Sequence, residues 1–472
     1  MGARPLMRGG AEAMGERSII SSNDLTSVGT DGEKPADSGS VTAFQILAVV
    51  LCWTINMLDG FDVLAIAFTA PEISADWGLQ PAALGVVFSA GLFGMMAGAL
   101  FLAPIGDYLG RRKTILAGLV IITLGMFVTA YVTTVSEMVA ARGFTGLGIG
   151  LILASLTSIT AEYAPARWRN LAITFMHAGY PVGAVLGGLV SVYLIRTDGW
   201  PAVFIFGAAA SAVMIPLVYL CLPESAKFLL IRQPPRALDR VNAIRARQGH
   251  AALSSLPPRP AWPDRSRVSV LVLFSKDYLA ATLALWTGFF MAMLALYFLV
   301  SWTPKVLSDA GLSPDQGRFA GVLMNLCGIF AMLLLGALSV RFGLRRVIQL
   351  LLGLSAVVIM VFAAVPLPAP VLLGLAFLMG LAMAGLVGFY AVAARLYPTE
   401  IRNTGVGWAI GIGRWGAVVG PLAAGWMIGA GFERWVYFLV LAAGPVLIAA
   451  LSVGLIRAPG LESGTAGRPG TG

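Results

Sequence analysis

The sequence predicts an all-α membrane protein with twelve transmembrane helices in two pseudo-symmetric six-helix bundles. Composition, the spacing of apolar segments and an internal repeat carry that prediction. Of 472 residues, 58% are hydrophobic and 12% charged, with a mean hydropathy of +0.84. A soluble domain carries roughly 25% charged residues. A spanning helix needs about 20 apolar residues. Twelve segments meet that length, at 43–68, 82–104, 114–133, 137–161, 170–194, 200–222, 279–303, 318–339, 346–365, 370–394, 404–428 and 434–456. The two halves then align at one constant offset. Trp53 falls on Trp286, Gly110 on Gly343, Arg112 on Arg345, Pro165 on Pro398, Arg169 on Arg402, Gly183 on Gly416 and Gly187 on Gly420. A parallel repeat of this kind relates the halves by an axis along the membrane normal.

The elements follow in order. Residues 1–42 are charged, Gly- and Ser-rich and lack an apolar signal region, so they read as a disordered cytoplasmic tail. Residues 43–222 form the first six-helix bundle. Residues 223–277 form a polar, basic cytoplasmic loop with prolines at 257, 258, 260 and 263, expected to hold short surface helices. Residues 278–456 form the second bundle and 457–472 a cytoplasmic tail. Of the 32 Lys and Arg, 26 fall on the tails and on loops of one side. Four fall on the other side (Arg196, Lys305, Arg318, Arg434), and Arg142 and Arg414 lie inside spans. Cytoplasmic loops of membrane proteins carry the excess of Lys and Arg, so both termini are placed in the cytoplasm. The net charge of +9 is then a property of topology and calls for no nucleic-acid partner. Cys52, Cys221 and Cys327 show no paired spacing and His177 and His250 are too few for a cluster, so no disulfide framework, metal or cofactor is expected.

The first span contains Asp59-Gly60-Phe61-Asp62 in an otherwise apolar run. A charge in hydrocarbon costs several kcal/mol unless paired, neutralised or watered, so such acids are functional candidates. Their i, i+3 spacing puts both on one helix face, ~24–29 Å along the span and in its outer half. Two adjacent carboxylates in a low dielectric favour keeping a proton, which suits a proton-coupled carrier. Arg142, one to two turns into span 4, lies at a depth where it can pair with Asp59 or Asp62. Arg414 lies near the midplane of span 11 with no acid beside it in sequence. A guanidinium binds carboxylate through two parallel hydrogen bonds, so Arg414 is the candidate contact for an anionic substrate. Trp286, Phe289, Tyr297, Tyr390, Trp408 and Trp415 are available to stack on an aromatic ring, and His177 in span 5 can relay protons or donate to a phenolic hydroxyl.

The loop Ala103-Pro104-Ile105-Gly106-Asp107-Tyr108-Leu109-Gly110-Arg111-Arg112-Lys113 resembles the signature loop of the major facilitator transporters, with Ala103 in place of the usual Gly. The copy in the second half keeps Gly336, Gly343, Arg345 and Arg346 but has Val340 at the Asp position. Within that superfamily the chain resembles the aromatic acid:proton symporters over residues 43–456. The resemblance is carried by Leu58-Asp59-Gly60-Phe61-Asp62, Ala141-Arg142-Gly143-Phe144-Thr145-Gly146-Leu147-Gly148, Trp286 through Tyr297-Phe298, Trp302-Thr303-Pro304 and Gly411-Ile412-Gly413-Arg414-Trp415-Gly416. The resemblance implies proton-coupled uptake of an aromatic carboxylate such as 4-hydroxybenzoate or benzoate, by alternating access. It also implies a multi-pass monomer in the lipid bilayer of the cell inner membrane, supplying aromatic-ring catabolism.

Proton and substrate roles for Asp59 and Asp62 are part of that implication, as is a cytoplasmic gate at Asp107, Arg111 and Arg112. Glu162, Arg167 and Arg169 after span 4, with Arg395, Glu400 and Arg402 after span 10, look like matching latches. Three other readings stay open: drug:proton antiport, a carrier of sugar or another small organic ion, and a sensor that does not transport. Span 5 has Gly179 and Gly183 followed by Ala184 rather than the Gly-Pro of antiporters, and a midplane arginine suits an anion better than a sugar. An enzyme is not expected, because no nucleophile–His–acid set, metal spacing or nucleotide loop is present.

Overall fold

The computed structural model describes residues 42–248, 251–258 and 270–456, with the side chains of residues 166, 170, 399, 400 and 403 outside that description. The expected tails up to residue 41 and from 457 onward, His250, and Pro260 and Pro263 of the loop lie outside the described residues. Twelve long helices run in the predicted order. They are α1 (Ala43–Trp77), α2 (Pro81–Leu109), α3 (Arg111–Thr129), α4 (Val135–Tyr163), α5 (Arg169–Asp198), α6 (Trp200–Cys221), α7 (Leu279–Asp309), α8 (Pro314–Phe342), α9 (Leu344–Ala364), α10 (Ala369–Leu396), α11 (Thr399–Gly429) and α12 (Arg434–Leu455). Eleven of them are long and apolar enough to cross a bilayer. The remaining helix, α11, is 31 residues long and is diluted by glycines and Arg414. Short helices at Ala226–Arg232 and Ala237–Arg247 lie in the loop between the bundles.

Local sequence explains the ends. Thr42 with Gln45, Thr134 with Glu137 and Ser313 with Gln316 each form a reciprocal capping box that satisfies the first free N–H groups of α1, α4 and α8. Gly110 and Gly343 turn the chain at φ +100° and +84°, a region that favours glycine, at equivalent points of the repeat. The largest departure from expectation is α1, which continues nine residues past 68, through Pro71 and Glu72. That polar stretch remains helical because Glu72 is held by an ion pair to Arg318 of α8 at 2.5 Å.

The repeat is visible in the packing. A Cβ on Gly183 of α5 would stand 1.7 Å from the Met57 carbonyl oxygen of α1. A Cβ on Gly416 of α11 would stand 2.2 Å from the Phe290 carbonyl of α7. These two contacts are the same contact, one in each bundle. Trp53 stacks on Phe175 at 5.5 Å and 12°, and their counterparts Trp286 and Trp408 stack at 6.0 Å and 21°. Helices without a hydrophobic drive between them associate by close backbone approach at small residues, and the glycines of the repeat provide it.

The bundles meet through α1 with α7 and α8, α2 with α11, and α5 with α8. The named contacts run from the face opposite the interbundle loop down to mid-depth. Glu72 of α1 and Asp315 of α8 both pair with Arg318, which is 2% exposed, and Asp315 also pairs with Arg196 of α5. Below them a Cβ on Gly188 would stand 2.4 Å from Val322, Phe88 meets Trp302 edge-on at 5.3 Å, and the Ser89 hydroxyl donates to the Val418 carbonyl at 2.8 Å. Nearer the loop face the fold opens. Gly407, Gly411 and Arg414 share one face of α11 by their spacing, and no heavy atom lies within 4 Å of a Cβ placed on either glycine.

Two outcomes follow. Gly183→Ala forces a methyl into the Met57 backbone, an overpacking cost of ~1–3 kcal/mol. Its melting temperature in detergent falls below that of the parent protein, and an unchanged value would contradict the α1–α5 contact. Arg318→Ala strands Glu72 and leaves Asp315 with Arg196 alone, and breaking a buried pair costs about 3–5 kcal/mol. In a background lacking Cys52, Cys221 and Cys327, a Val322→Cys reporter is then labelled faster by a membrane-impermeant maleimide. Equal labelling rates with and without Arg318 would count against the seal.

Candidate functional site

The acid pair is buried inside the first bundle. Asp59 and Asp62 are 2% and 0% exposed. Because α1 is longer than expected, Asp59 is the 17th of its 35 residues, near the midpoint of the helix rather than in its outer half. Gly60 allows this placement: a Cβ there would stand 2.0 Å from the Tyr180 carbonyl oxygen of α5. Asp62 faces α6, its Oδ1 being 3.1 Å from where a Cβ on Gly207 would lie. Both its carboxyl oxygens, and Oδ2 of Asp59, are buried without a hydrogen-bond partner among the described residues. Leaving a polar group so costs free energy, and a full charge costs more, so a carboxyl group here has reason to carry a proton.

Arg142 does reach Asp62, but by a route the sequence did not suggest. Its Nη2 donates to the Asp62 main-chain carbonyl at 2.6 Å, Nη1 contacts the Met126 sulfur at 3.2 Å, and the guanidinium lies 5.8 Å from the Phe204 ring centre. The expected carboxylate ion pair is absent among the described residues. The reason is geometric: the Asp62 side chain is directed at α6, while its carbonyl is within reach of α4.

A second group gathers where the bundles meet. Arg414 is half-buried at the 16th of 31 residues of α11, with Nη1 3.0 Å from the Met95 sulfur of α2 and no acid paired with it among the described residues. Tyr180 of α5 lies within electrostatic reach of Tyr297 of α7, Arg414 and Asp59. Tyr390 of α10 lies in the same field, within reach of Arg414 and Tyr297, with Phe289 edge-on to its ring at 5.1 Å. Three phenols, one guanidinium and one carboxyl group thus converge from four helices besides α1. Tyr180 was not among the residues singled out from sequence. Its signal was available: in the repeat it falls on Gly413, so a tyrosine there has no scaffold role to repeat.

Two expected residues stand elsewhere. Trp286 is stacked on Trp408 and edge-on to Phe274 at 5.5 Å, 11 residues along α7 from Tyr297, or ~16 Å. Its stack duplicates that of Trp53 and Phe175, which marks it as bundle packing. His177 is exposed one turn below Tyr180, and its carbonyl accepts from Asn56 Nδ2 at 3.3 Å.

At the loop face the charges tie the first bundle to the interbundle loop rather than to the second bundle. Asp107 pairs with Arg111 at 2.5 Å, and Arg232 Nε donates to the Asp107 carbonyl at 3.0 Å. The Arg112 N–H donates to Glu224 at 3.0 Å, and its side chain bonds the Tyr219 carbonyl. Glu162 accepts from the Ser225 hydroxyl at 2.7 Å. Arg169 is exposed, and Arg402 donates to the Tyr397 carbonyl at 3.2 Å within its own bundle. The side chain of Glu400 lies outside the described residues. Glu162 and Arg402, one from each of the latches expected after spans 4 and 10, are thus engaged on their own side of the bundle interface.

Comparison with known proteins agrees with this architecture. The family model of the Major Facilitator Superfamily matches residues 52–369 and 285–470. The chain is 36% identical over 427 residues to a gallate transporter of Pseudomonas putida, covering 88% of this chain and 93% of that one. It is 35% identical over 423 residues to the 4-hydroxybenzoate transporter of Pseudomonas aeruginosa, covering 88% and 94%. Among solved structures, the inward-open xylose transporter of E. coli superposes with a TM-score of 0.68 at 18% identity, covering 87% of this chain and 96% of that one. The chain belongs to the Major Facilitator Superfamily, in the group whose curated relatives are transporters of aromatic acids.

Proposed function

We propose that this protein is a secondary active transporter that takes up an aromatic carboxylate together with protons, by alternating access. The observation that carries this reading is the convergence of Arg414 with the phenols of Tyr180, Tyr297 and Tyr390 at the bundle interface, one helix away from a buried acid pair. A half-buried guanidinium without a protein acid is an anion site. Aromatic and phenolic side chains around it suit a ring that carries hydroxyl groups. The relatives named for gallate and 4-hydroxybenzoate carry anions of that description.

Asp62 and Asp59 supply the proton site, and Arg142 holds the backbone of α1 that carries them. The excess of Lys and Arg at the loop face supports placing that face, and both termini, in the cytoplasm of a cell whose inner membrane holds the protein as a monomer. On that orientation the site is open to the cytoplasm and sealed outward by the Glu72–Arg318–Asp315–Arg196 network. Asp107, Arg111, Arg112, Glu162, Arg169, Glu400 and Arg402 then belong to the face that closes when the carrier turns outward. Efflux is disfavoured because Gly179 and Gly183 serve close packing on Trp53 and Met57.

Radiolabelled 4-hydroxybenzoate or benzoate accumulates in energised vesicles, and a protonophore abolishes the accumulation. Asp62→Asn keeps the shape and removes the titratable proton, so it retains exchange of substrate across the membrane and loses accumulation. Protonophore-insensitive uptake would sink the coupling. Arg414→Lys loses the planar fork, and its apparent affinity for the carboxylate falls about tenfold, the size of one lost charge-assisted hydrogen bond. An unchanged affinity would remove Arg414 from the anion site.

A further inference from the structure

We propose that the thioether of Met95 is a displaceable place-holder on Arg414: it occupies the guanidinium while no substrate is bound, and the carboxylate of an aromatic acid takes its place. The inference rests on the reading of Arg414 as the anion site and adds the residue against which the substrate competes there.

Met95 belongs to the first bundle and Arg414 to the second. The backbone of Met95 is fixed on α4: a Cβ on Gly146 would stand 2.8 Å from the Met95 nitrogen, and one on Gly150 2.1 Å from its carbonyl oxygen. Met95 is 4% exposed, and its side chain crosses the bundle interface to put the sulfur 3.0 Å from Arg414 Nη1. That sulfur is the one hydrogen-bond partner of the Arg414 side chain among the described residues. Towards the sealed face, α2 meets α11 again where the Ser89 hydroxyl donates to the Val418 carbonyl at 2.8 Å, and where a Cβ on Gly85 would stand 2.9 Å from the Pro421 carbonyl oxygen. Of these contacts the one between Met95 and Arg414 lies nearest the loop face. In the repeat Met95 falls on Gly328 and Arg414 on Pro181, so the symmetric helix pair α8 and α5 cannot form it. The duplicated scaffold does not need this contact.

Arg142 also meets a methionine sulfur, at Met126, but its Nη2 has a carbonyl oxygen in addition. Arg414 is held more lightly. A thioether sulfur is a weak and neutral acceptor. A hydrogen bond from guanidinium to an ionised carboxylate is roughly twice as strong as a neutral one, and two can form in parallel. A carboxylate reaching Arg414 therefore displaces the sulfur, and a neutral ring of the same shape lacks the bond that would do so. The side chain of Met95 has three rotatable bonds and can withdraw while its backbone stays on α4. In the arrangement open toward the loop face the competition favours unloading, because the sulfur gives the guanidinium a partner as the carboxylate leaves. An acid of the protein in that position would compete far more strongly and shut the anion out.

The test is equilibrium binding of radiolabelled 4-hydroxybenzoate to the purified full chain, with two substitutions of opposite chemistry at position 95. Met95→Leu conserves volume and removes the acceptor, so Kd falls about threefold, within the range of one neutral hydrogen bond. Met95→Gln offers the guanidinium an amide oxygen, a stronger acceptor on a side chain of similar length, so Kd rises about threefold. Shifts of opposite sign follow from competition for Arg414. A packing role for Met95 weakens binding in both variants, and that result overturns the proposal, as does an unchanged Kd in Met95→Leu. Should one variant not fold, the sign of the shift in the other decides: a rise with Leu or a fall with Gln overturns the proposal. A parent protein that binds no aromatic acid, or an Arg414→Lys variant with the parent's Kd, overturns the anion-site reading instead.

Discussion

Hydrocarbon cannot solvate a charge, and the rest of this structure is arranged around that constraint. Asp59, Asp62, Arg142 and Arg318 sit deep in the fold and are almost wholly removed from the surface. Each is placed so that protein, rather than lipid, surrounds it. Arg142 binds a main-chain carbonyl and a sulfur, and Arg318 binds one acid from each bundle. The acid pair is the exception: both oxygens of Asp62 and Oδ2 of Asp59 are unpartnered among the described residues. A carboxyl group is the one kind of charge in the spans that can remove its own penalty by taking a proton. The place where the constraint is least satisfied is thus the place where proton chemistry is to be expected.

A second consequence concerns helix packing. Glycines bring α1 onto α5 and α7 onto α11 at equivalent positions, and equivalent aromatic pairs stack beside them. These contacts build two copies of one scaffold. The residues that converge at the bundle interface are those for which the copy holds something else. Symmetry supports the two bundles as similar rigid bodies, and departures from symmetry give the interface between them its chemistry. A tryptophan such as Trp286, prominent in sequence, proves to be scaffold because its counterpart does the same job in the other bundle.

The ion pairs divide the molecule in a third way. At the face opposite the interbundle loop, Arg318, Asp315, Glu72 and Arg196 join the bundles. At the loop face, Asp107, Arg111, Arg112, Glu162 and Arg232 are engaged within the first bundle and its adjoining loop. One end is tied across and the other end is tied locally, so rotation of one bundle against the other exchanges contacts at the ends without unpacking either bundle. Packed cores do not deform continuously, which favours two discrete arrangements over a continuum.

Much of this could be read from the chain alone, because the rules involved are local or periodic. Segment length and hydropathy located twelve helices, the constant offset revealed the duplication, and the cost of a charge singled out Asp59, Asp62, Arg142 and Arg414 without any knowledge of their neighbours. The length of α1 could not be read, since Pro71 and Glu72 look like an end until Arg318, 246 residues away in the chain, holds them. Nor could the partner of Arg142, which is a carbonyl that every residue possesses. Tyr180 was visible in sequence only as a departure from the repeat, where it falls on Gly413. Its neighbours Tyr297 and Arg414 were not, because only the meeting of two bundles brings them to it. Sequence determined which groups are costly to bury; the tertiary structure decided which of them share a space, because that depends on contacts between helices distant in the chain.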